Sequence, residues 1–204
     1  MRQMGYFLIP LMLVLLSTGY AFCAEGDQDH WMLQVYGGTA YNFRTQLKIE
    51  QSGFDVLDFA AKYKTSGTGA PYYALRVGRW TGDHAWEFEH VHHKLLLDNN
   101  PPEVQDFQIS HGFNMFMLNR ANRRGGLIYR YGGGIVIAHP ENEVRSMVNH
   151  RRYYLSGVAA QYAVEKRWDI SDRLSLSVEG KLTAAWFQVP IEDGHAAGTN
   201  IALP

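Results

Sequence analysis

The run RLSLSVEGKLTAAWFQV, Arg173 to Val189, alternates with a period of two residues. Leu174, Leu176, Val178 and Leu182 fall on one face of an extended strand, and Ser175, Ser177, Glu179, Lys181 and Thr183 on the other. Successive side chains of a strand point to opposite sides, so this run carries an apolar and a charged surface back to back. A soluble sandwich would turn the apolar face inward and leave the charges in water. A membrane barrel inverts this, with lipid outside and the charges within. The period alone does not choose.

Six further segments read as strands: 31–43, 72–80, 85–95, 104–118, 127–139 and 153–168. They are longer than the usual ~5–6 residues of a soluble strand and suit tilted membrane strands of ~9–11 residues. In 104–118, Phe107, Ile109, Phe113, Met115 and Met117 share a face opposite Asp106, Gln108, Ser110 and Asn114. The connections break the tie, because short ones (TGDH, DISD) alternate with long ones (LLDNNPPE, PENEVRSMVNHRR), the pattern of short periplasmic turns and long external loops. Trp31, Tyr72, Trp80, Trp168 and Trp186 sit near strand ends, where aromatic girdles lie. The expected fold is all-β: a small antiparallel transmembrane β-barrel, eight-stranded in full form, rather than a secreted sandwich. Seven strands are legible. NIALP at 200–204 falls in what reads as an external loop, so the last strand is expected to be missing from a truncated barrel, unless Phe54–Tyr63 supplies it.

The chain opens with Arg2, an apolar run from Tyr6 to Leu16 and small residues to Ala24, the pattern of a cleaved signal peptide over 1–24 ahead of a barrel domain over 25–204. Its apolar core is shorter than the ~20 residues of a membrane-spanning helix. The single cysteine, Cys23, lies at that boundary, which leaves the mature chain without disulfide, thiolate metal site or cysteine nucleophile. A net charge of -1 over 204 residues argues against nucleic acid as a partner. The expected location is the outer membrane of a Gram-negative bacterium.

Buried charges inside a narrow barrel must be paired. Turn lengths set Arg76 opposite Glu89, and Glu87, Glu89, Arg76, Arg130, Glu165, Glu179 and Lys181 are expected to form one interior network. Glu89 has a second reading as an acid–base partner of the neighbouring histidines. His90 and His92 share the parity of Trp86 and Phe88, on the lipid side, and the same register places His90 opposite His111, Glu87 near Asn114 and His93 near Gln108. Gly133 on the next strand is expected across from His111. Polar groups facing hydrocarbon are costly and tend to be functional, which marks His90 and His111 as catalytic candidates. The plainer alternatives are a bulge at Gly112 or Val91 that turns a histidine inward, or a position already at headgroup depth. A second constellation gathers His92, His93, His139, Glu141 and Glu143 with Glu192, Asp193 and His195 at the external end. Imidazole and carboxylate ligands there suit Zn, Mn or Fe(II).

Three stretches, EFEHVHHKLLLDN (Glu87–Asn99), VQDFQISHGFNMFMLN (Val104–Asn119) and YRYGGGIVIAHPENEV (Tyr129–Val144), resemble the outer-membrane lipid A oxidase family and its uncharacterised relatives. The resemblance spans about Pro71 to Val189. It implies an eight-stranded barrel that oxidises the proximal glucosamine of lipid A to an aminogluconate with O₂ and a divalent metal ion, and a further strand after Pro204. It carries no residue roles. The lipid A 3-O-deacylase is another barrel enzyme, with a His-x-Ser order in one strand. Here Ser110 directly precedes His111, so in a regular strand the two face opposite ways, and deacylation ranks below oxidation. The alternative to an enzyme on lipopolysaccharide is a structural or surface-interaction barrel. In either case an eight-stranded barrel filled by side chains is no channel.

Overall fold

The computed structural model describes residues 17–23, 29–65, 71–149 and 152–204. The expected leader therefore lies outside the described residues apart from 17–23. The described residues form thirteen strands in one sheet: β1 (Ser17–Cys23), β2 (Asp29–Gly38), β3 (Tyr41–Asn42), β4 (Thr45–Gln51), β5 (Leu57–Ala61), β6 (Tyr72–Thr81), β7 (His84–Leu96), β8 (Val104–Arg124), β9 (Leu127–Val144), β10 (Met147–Val148), β11 (Tyr154–Ser171), β12 (Leu174–Ile191) and β13 (Gly194–Leu203). Among them there is no helix. Every pairing is antiparallel, along the path β1-β2-β6-β7-β8-β9-β11-β12-β13-β4-β5. β1 also pairs with the lower part of β12, Ser17 opposite Glu179, while β13 takes its upper part, Thr183 opposite Ala202.

The expected count of eight strands is corrected in two places. The long connection from Arg44 to Pro71 builds β4 and β5, so Phe54–Tyr63 contributes a short strand beside β4 rather than the last wall strand. The segment from Gly194 onward, read as loop, turns back at Glu192–Asp193 and runs as β13 along β12. Its small residues (Gly, Ala, Thr) hide a strand pattern that large apolar residues would have announced. Just past β5, Tyr63 bridges Leu97, and Asp98 donates its backbone N–H to the Lys62 carbonyl at 2.7 Å. The Lys62 ammonium hydrogen-bonds the Asp98 carboxyl and holds it below the usual carboxylate range.

Tight turns mark the lower end. Gly82–Asp83, Gly125–Gly126 and Asp172–Arg173 each join two long strands. Gly82, Gly125 and Gly126 have φ of 56°, 59° and 76°, the left-handed region that two-residue hairpin turns need and that glycine enters at little cost.

The interior divides into two halves. In the lower half Glu87, Glu89, Glu165 and Glu179 face Arg76, Arg130 and Lys181, all buried, with the partly buried Arg167 beside Glu165. Arg76 reaches Glu89 at 2.9 Å and Glu179 at 2.8 Å, and hydrogen-bonds Tyr36 at 3.1 Å. Arg130 grips Glu87 through Nε (2.6 Å) and Nη2 (3.2 Å), lies 2.9 Å from Glu179 and pairs with Glu165. The seven residues expected to form a network do form it, and Arg76 stands opposite Glu89 as expected. The upper half is apolar, built from Leu47, Ile49, Leu95, Phe107, Ile109, Phe113 and Phe187, with Phe113 edge-on to Phe187 at 5.4 Å. The apolar face of β8 therefore points inward, not to lipid, because its upper part lines this second core.

On β12 the alternation resolves as an inverted wall. Ser175, Ser177, Glu179, Lys181 and Thr183 are buried, while Leu182 and Trp186 are exposed. Removing one member of a buried charge network strands its partners, at a cost of about 3–5 kcal/mol. Arg130→Met should lose that much in denaturant unfolding from detergent micelles. Adding Glu87→Gln should recover part of the loss, because one abandoned carboxylate then carries no charge.

Candidate functional site

A break in β8 shapes the outer wall. Ile109 pairs with Pro140 and Phe113 with Ala138, so Ser110, His111 and Gly112 together face the single residue His139 on β9. On the other side the same three face only Lys94, between His93–Phe113 and Leu95–Ile109. This is a bulge, and Gly112 carries it with a φ of 133°. A Cβ there would stand 2.3 Å from the Asn114 side chain.

The bulge undoes the strict alternation of side chains. Ser110 and His111, adjacent in sequence, both reach Glu141. The Ser110 hydroxyl donates to Glu141 Oε2 at 2.6 Å, and His111 Nδ1 lies 2.8 Å from Oε1. His139 and Glu141, two residues apart on β9, share its outer face, and His139 Nδ1 is 3.9 Å from Glu141 Oε1. The His111 and His139 rings are 4.9 Å apart, and Tyr153 packs its ring against His139 at 4.8 Å while its hydroxyl donates to the His111 carbonyl. Glu141 is buried beneath this cover, whereas the His111 side chain is 64% exposed. Two imidazoles and a carboxylate thus offer ligand atoms within 4.8 Å of one another, the one such cluster among the described residues.

The other candidates lie elsewhere. His90 pairs with Phe116, not His111. Its ring stacks on Phe116 at 4.8 Å, and its Nε2 is 3.0 Å from Asn114 Oδ1. His92 shares that Asn114 oxygen and stacks on Tyr73 at 4.6 Å. His93 points inward, buried, with Nε2 3.0 Å from Asn42 Oδ1. Glu89 belongs to the interior, held by Arg76, Lys181, Asn119 and Gln161, and meets none of the histidines. His195 stands beside Glu50 at 3.8 Å, apart from His139. The expected register was wrong because β8 continues to Arg124 and the bulge adds residues: Glu87 faces Asn119, His93 faces Phe113, and Gly133 faces Leu118.

The sequence held two hints of the cluster. A glycine inside a strand pattern marks a bulge, and His139 with Glu141 at a spacing of two must share a face. Ser110, passed over because it adjoins His111, is the residue this reasoning missed. The arrangement is still not a hydrolase relay, since that needs the imidazole between serine and acid with one ring nitrogen for each. Here Nδ1 of His111 faces both, 3.2 Å from Ser110 Oγ.

No protein-family model matches the chain, and no curated protein matches it. Among solved structures, Ail, the attachment invasion locus protein of Yersinia pestis, aligns with 94% of this chain and 98% of its own at 8% identity and a TM-score of 0.33. The same protein in complex with the heparin analogue sucrose octasulfate aligns over equal shares at 10% identity and a TM-score of 0.35. Likeness at that level carries no functional weight, and the chemistry of the wall has to come from the chain's own residues.

The bulge conformation can be tested directly. Gly112→Ala should cost about 1–3 kcal/mol of unfolding free energy, the strain of a side chain in this backbone region. Gly180→Ala, in a strand with nothing within 4 Å of the added methyl, should cost nothing measurable in the same unfolding experiment.

Proposed function

We propose that this chain is an outer-membrane β-barrel whose outer wall presents a headgroup-level site to lipid A, and that its reaction is the oxidation of the proximal glucosamine implied by the family resemblance. The observation that carries this reading is the inverted polarity of the wall. Four glutamates and three cations are shut inside, while Trp31, Leu75, Phe88, Leu118, Val158 and Trp186 are exposed. A water-soluble protein gains nothing by this arrangement, since large exposed apolar patches favour association.

Dimensions support the same reading. On β11 the outward positions Val158, Ala160, Tyr162 and Val164 carry no charge, and Trp168 follows ten residues after Val158. Val158 stands opposite Trp186 on β12. At about 3.3 Å per residue and a tilt of about 40°, those ten residues rise about 25 Å, the height of the apolar band of an outer-membrane barrel. Near the lower end Lys166 bends its ammonium to the Gly126 carbonyl, away from the band.

The site lies past the other end of the band. His139 comes four residues after Ile135, an exposed apolar residue on the same face of β9. That is about 10 Å above it at the same rise and tilt. Charged and titratable groups there meet sugars, phosphates and water, not acyl chains. The fit is to the carbohydrate headgroup of a lipid held against the wall by its tails.

Cells expressing the protein should hold it in the membrane pellet, and mass spectrometry of their lipid A should show a gain of one oxygen atom. A protein soluble in buffer without detergent would overturn the location. Unchanged lipid A would favour a structural barrel, and loss of an acyl chain would favour deacylation. Leu118→Arg, on the outward face, should lower stability in lipid bilayers by about 2–4 kcal/mol if that face meets hydrocarbon near the midplane.

A further inference from the structure

We infer that His111, His139 and Glu141 together bind one divalent transition-metal ion on the outer wall. The inference deepens the functional reading above by naming what its site holds, and it is tested separately from lipid A chemistry. The donor set is two imidazole nitrogens and one carboxylate oxygen, all within 4.8 Å. Metal–ligand bonds of about 2.0–2.2 Å place the donors of one ion about 3–3.5 Å apart. His111 Nδ1 and Glu141 Oε1 already lie 2.8 Å apart, His139 Nδ1 is 3.9 Å from the same oxygen, and no donor of the set has more than 4.8 Å to close.

The surroundings suit an ion as well as the donors do. Ser110 Oγ donates to Glu141 Oε2, which fixes the carboxylate and leaves Oε1 facing the two rings. Such outer hydrogen bonds orient ligands and strengthen binding. His139 Nδ1 is buried without a hydrogen-bond partner, and its ring is braced by Tyr153. A buried nitrogen left unbonded costs free energy that a metal bond would offset. The exposed flank at His111 leaves room for ligands from solvent or substrate. Two histidines and one carboxylate with open positions select Fe(II), Mn(II), Co(II) or Zn(II) over the oxygen-seeking Ca²⁺ and Mg²⁺.

The test uses the full chain purified from membranes in detergent, stripped with chelator and titrated with Co(II) and Zn(II). One equivalent of Co(II) should bind and give visible ligand-field absorption with nitrogen–oxygen character, and Zn(II) should displace it. His139→Asn and Glu141→Gln should each weaken binding by at least about 100-fold, since even outer-shell changes cost 10–100-fold. His92→Asn, outside the cluster, should leave binding unchanged, and each variant's fold is checked by its gel mobility with and without heating. Binding that survives loss of His139 and Glu141 together, preference for Ca²⁺, or no stoichiometric binding by the folded parent protein would overturn the inference. Tight Co(II) binding with unaltered lipid A would uphold it while removing the oxidase reading.

Discussion

Two guanidinium groups shared among four carboxylates determine how the lower wall is built. Arg76 on β6 and Arg130 on β9 sit on strands far apart in the pairing path, yet both reach Glu179 on β12. Such contacts across the interior are satisfied only if the sheet wraps round them. Lysine could not replace either arginine, because a point charge cannot engage three or four acceptors in fixed directions as the planar guanidinium does. Lys181 and Arg167 bring the cations level with the glutamates, so the cage is neutral overall. A neutral cage of mutually paired groups is what makes burial of these charges tolerable, and with them inside, large apolar side chains such as Leu118, Val158 and Trp186 are left on the outside.

The alternation of β12 and β7 was legible in sequence because both strands line this cage along much of their length. Beside the cage the inward positions Glu87, Glu89, Ser175, Ser177, Glu179, Lys181 and Thr183 are polar and the outward Trp86, Phe88 and Leu182 are not, so period and environment agree there. β8 defeats that logic. Its lower part lines the charged cage through Asn119, while its upper part lines an apolar core through Phe113, Ile109 and Phe107. One strand crosses from one interior to the other, and a reading that assumed a uniformly polar lumen put its aromatic residues in lipid. β13 was invisible for another reason. Gly194, Gly198 and the alanines between them leave little side-chain contrast, and Gly194 lies so close to the Glu50 carbonyl that a Cβ would stand 2.0 Å from it. Close backbone approach dictates those residues, and close approach leaves no hydrophobic period.

The candidate site was half legible for the same physical reason. Every residue of the cluster except Ser110 stood out in sequence, but in two different groups, because spacing along a strand gives facing and not depth. His90 and His111 share no register. The connection between β7 and β8 already displaces the pairing by three, since Gln108 faces Leu96 and not His93, and the bulge, three residues against one, adds two more, so Phe116 and not His111 stands opposite His90. Only the backbone at Gly112 reveals which histidine meets which acid.

That backbone also explains why the cluster stands where it does. On a regular strand, residues on one face are about 7 Å apart and only every second side chain is available. Neighbouring strands can supplement them, but Ser110 and His111 could not then converge on one carboxylate. A bulge releases this constraint at the cost of broken ladder bonds, and backbone groups freed from the ladder need water or another partner. If this wall meets lipid, as proposed, neither would be at hand within the hydrocarbon band, and each orphaned group would cost several kcal/mol. At the bulge the Tyr153 hydroxyl supplies a partner for the His111 carbonyl, and the His111 side chain is exposed. On the proposed membrane reading the depth of the site follows from the geometry it needs: a converging donor set on this wall uses a bulge, and a bulge is best placed beyond the acyl chains.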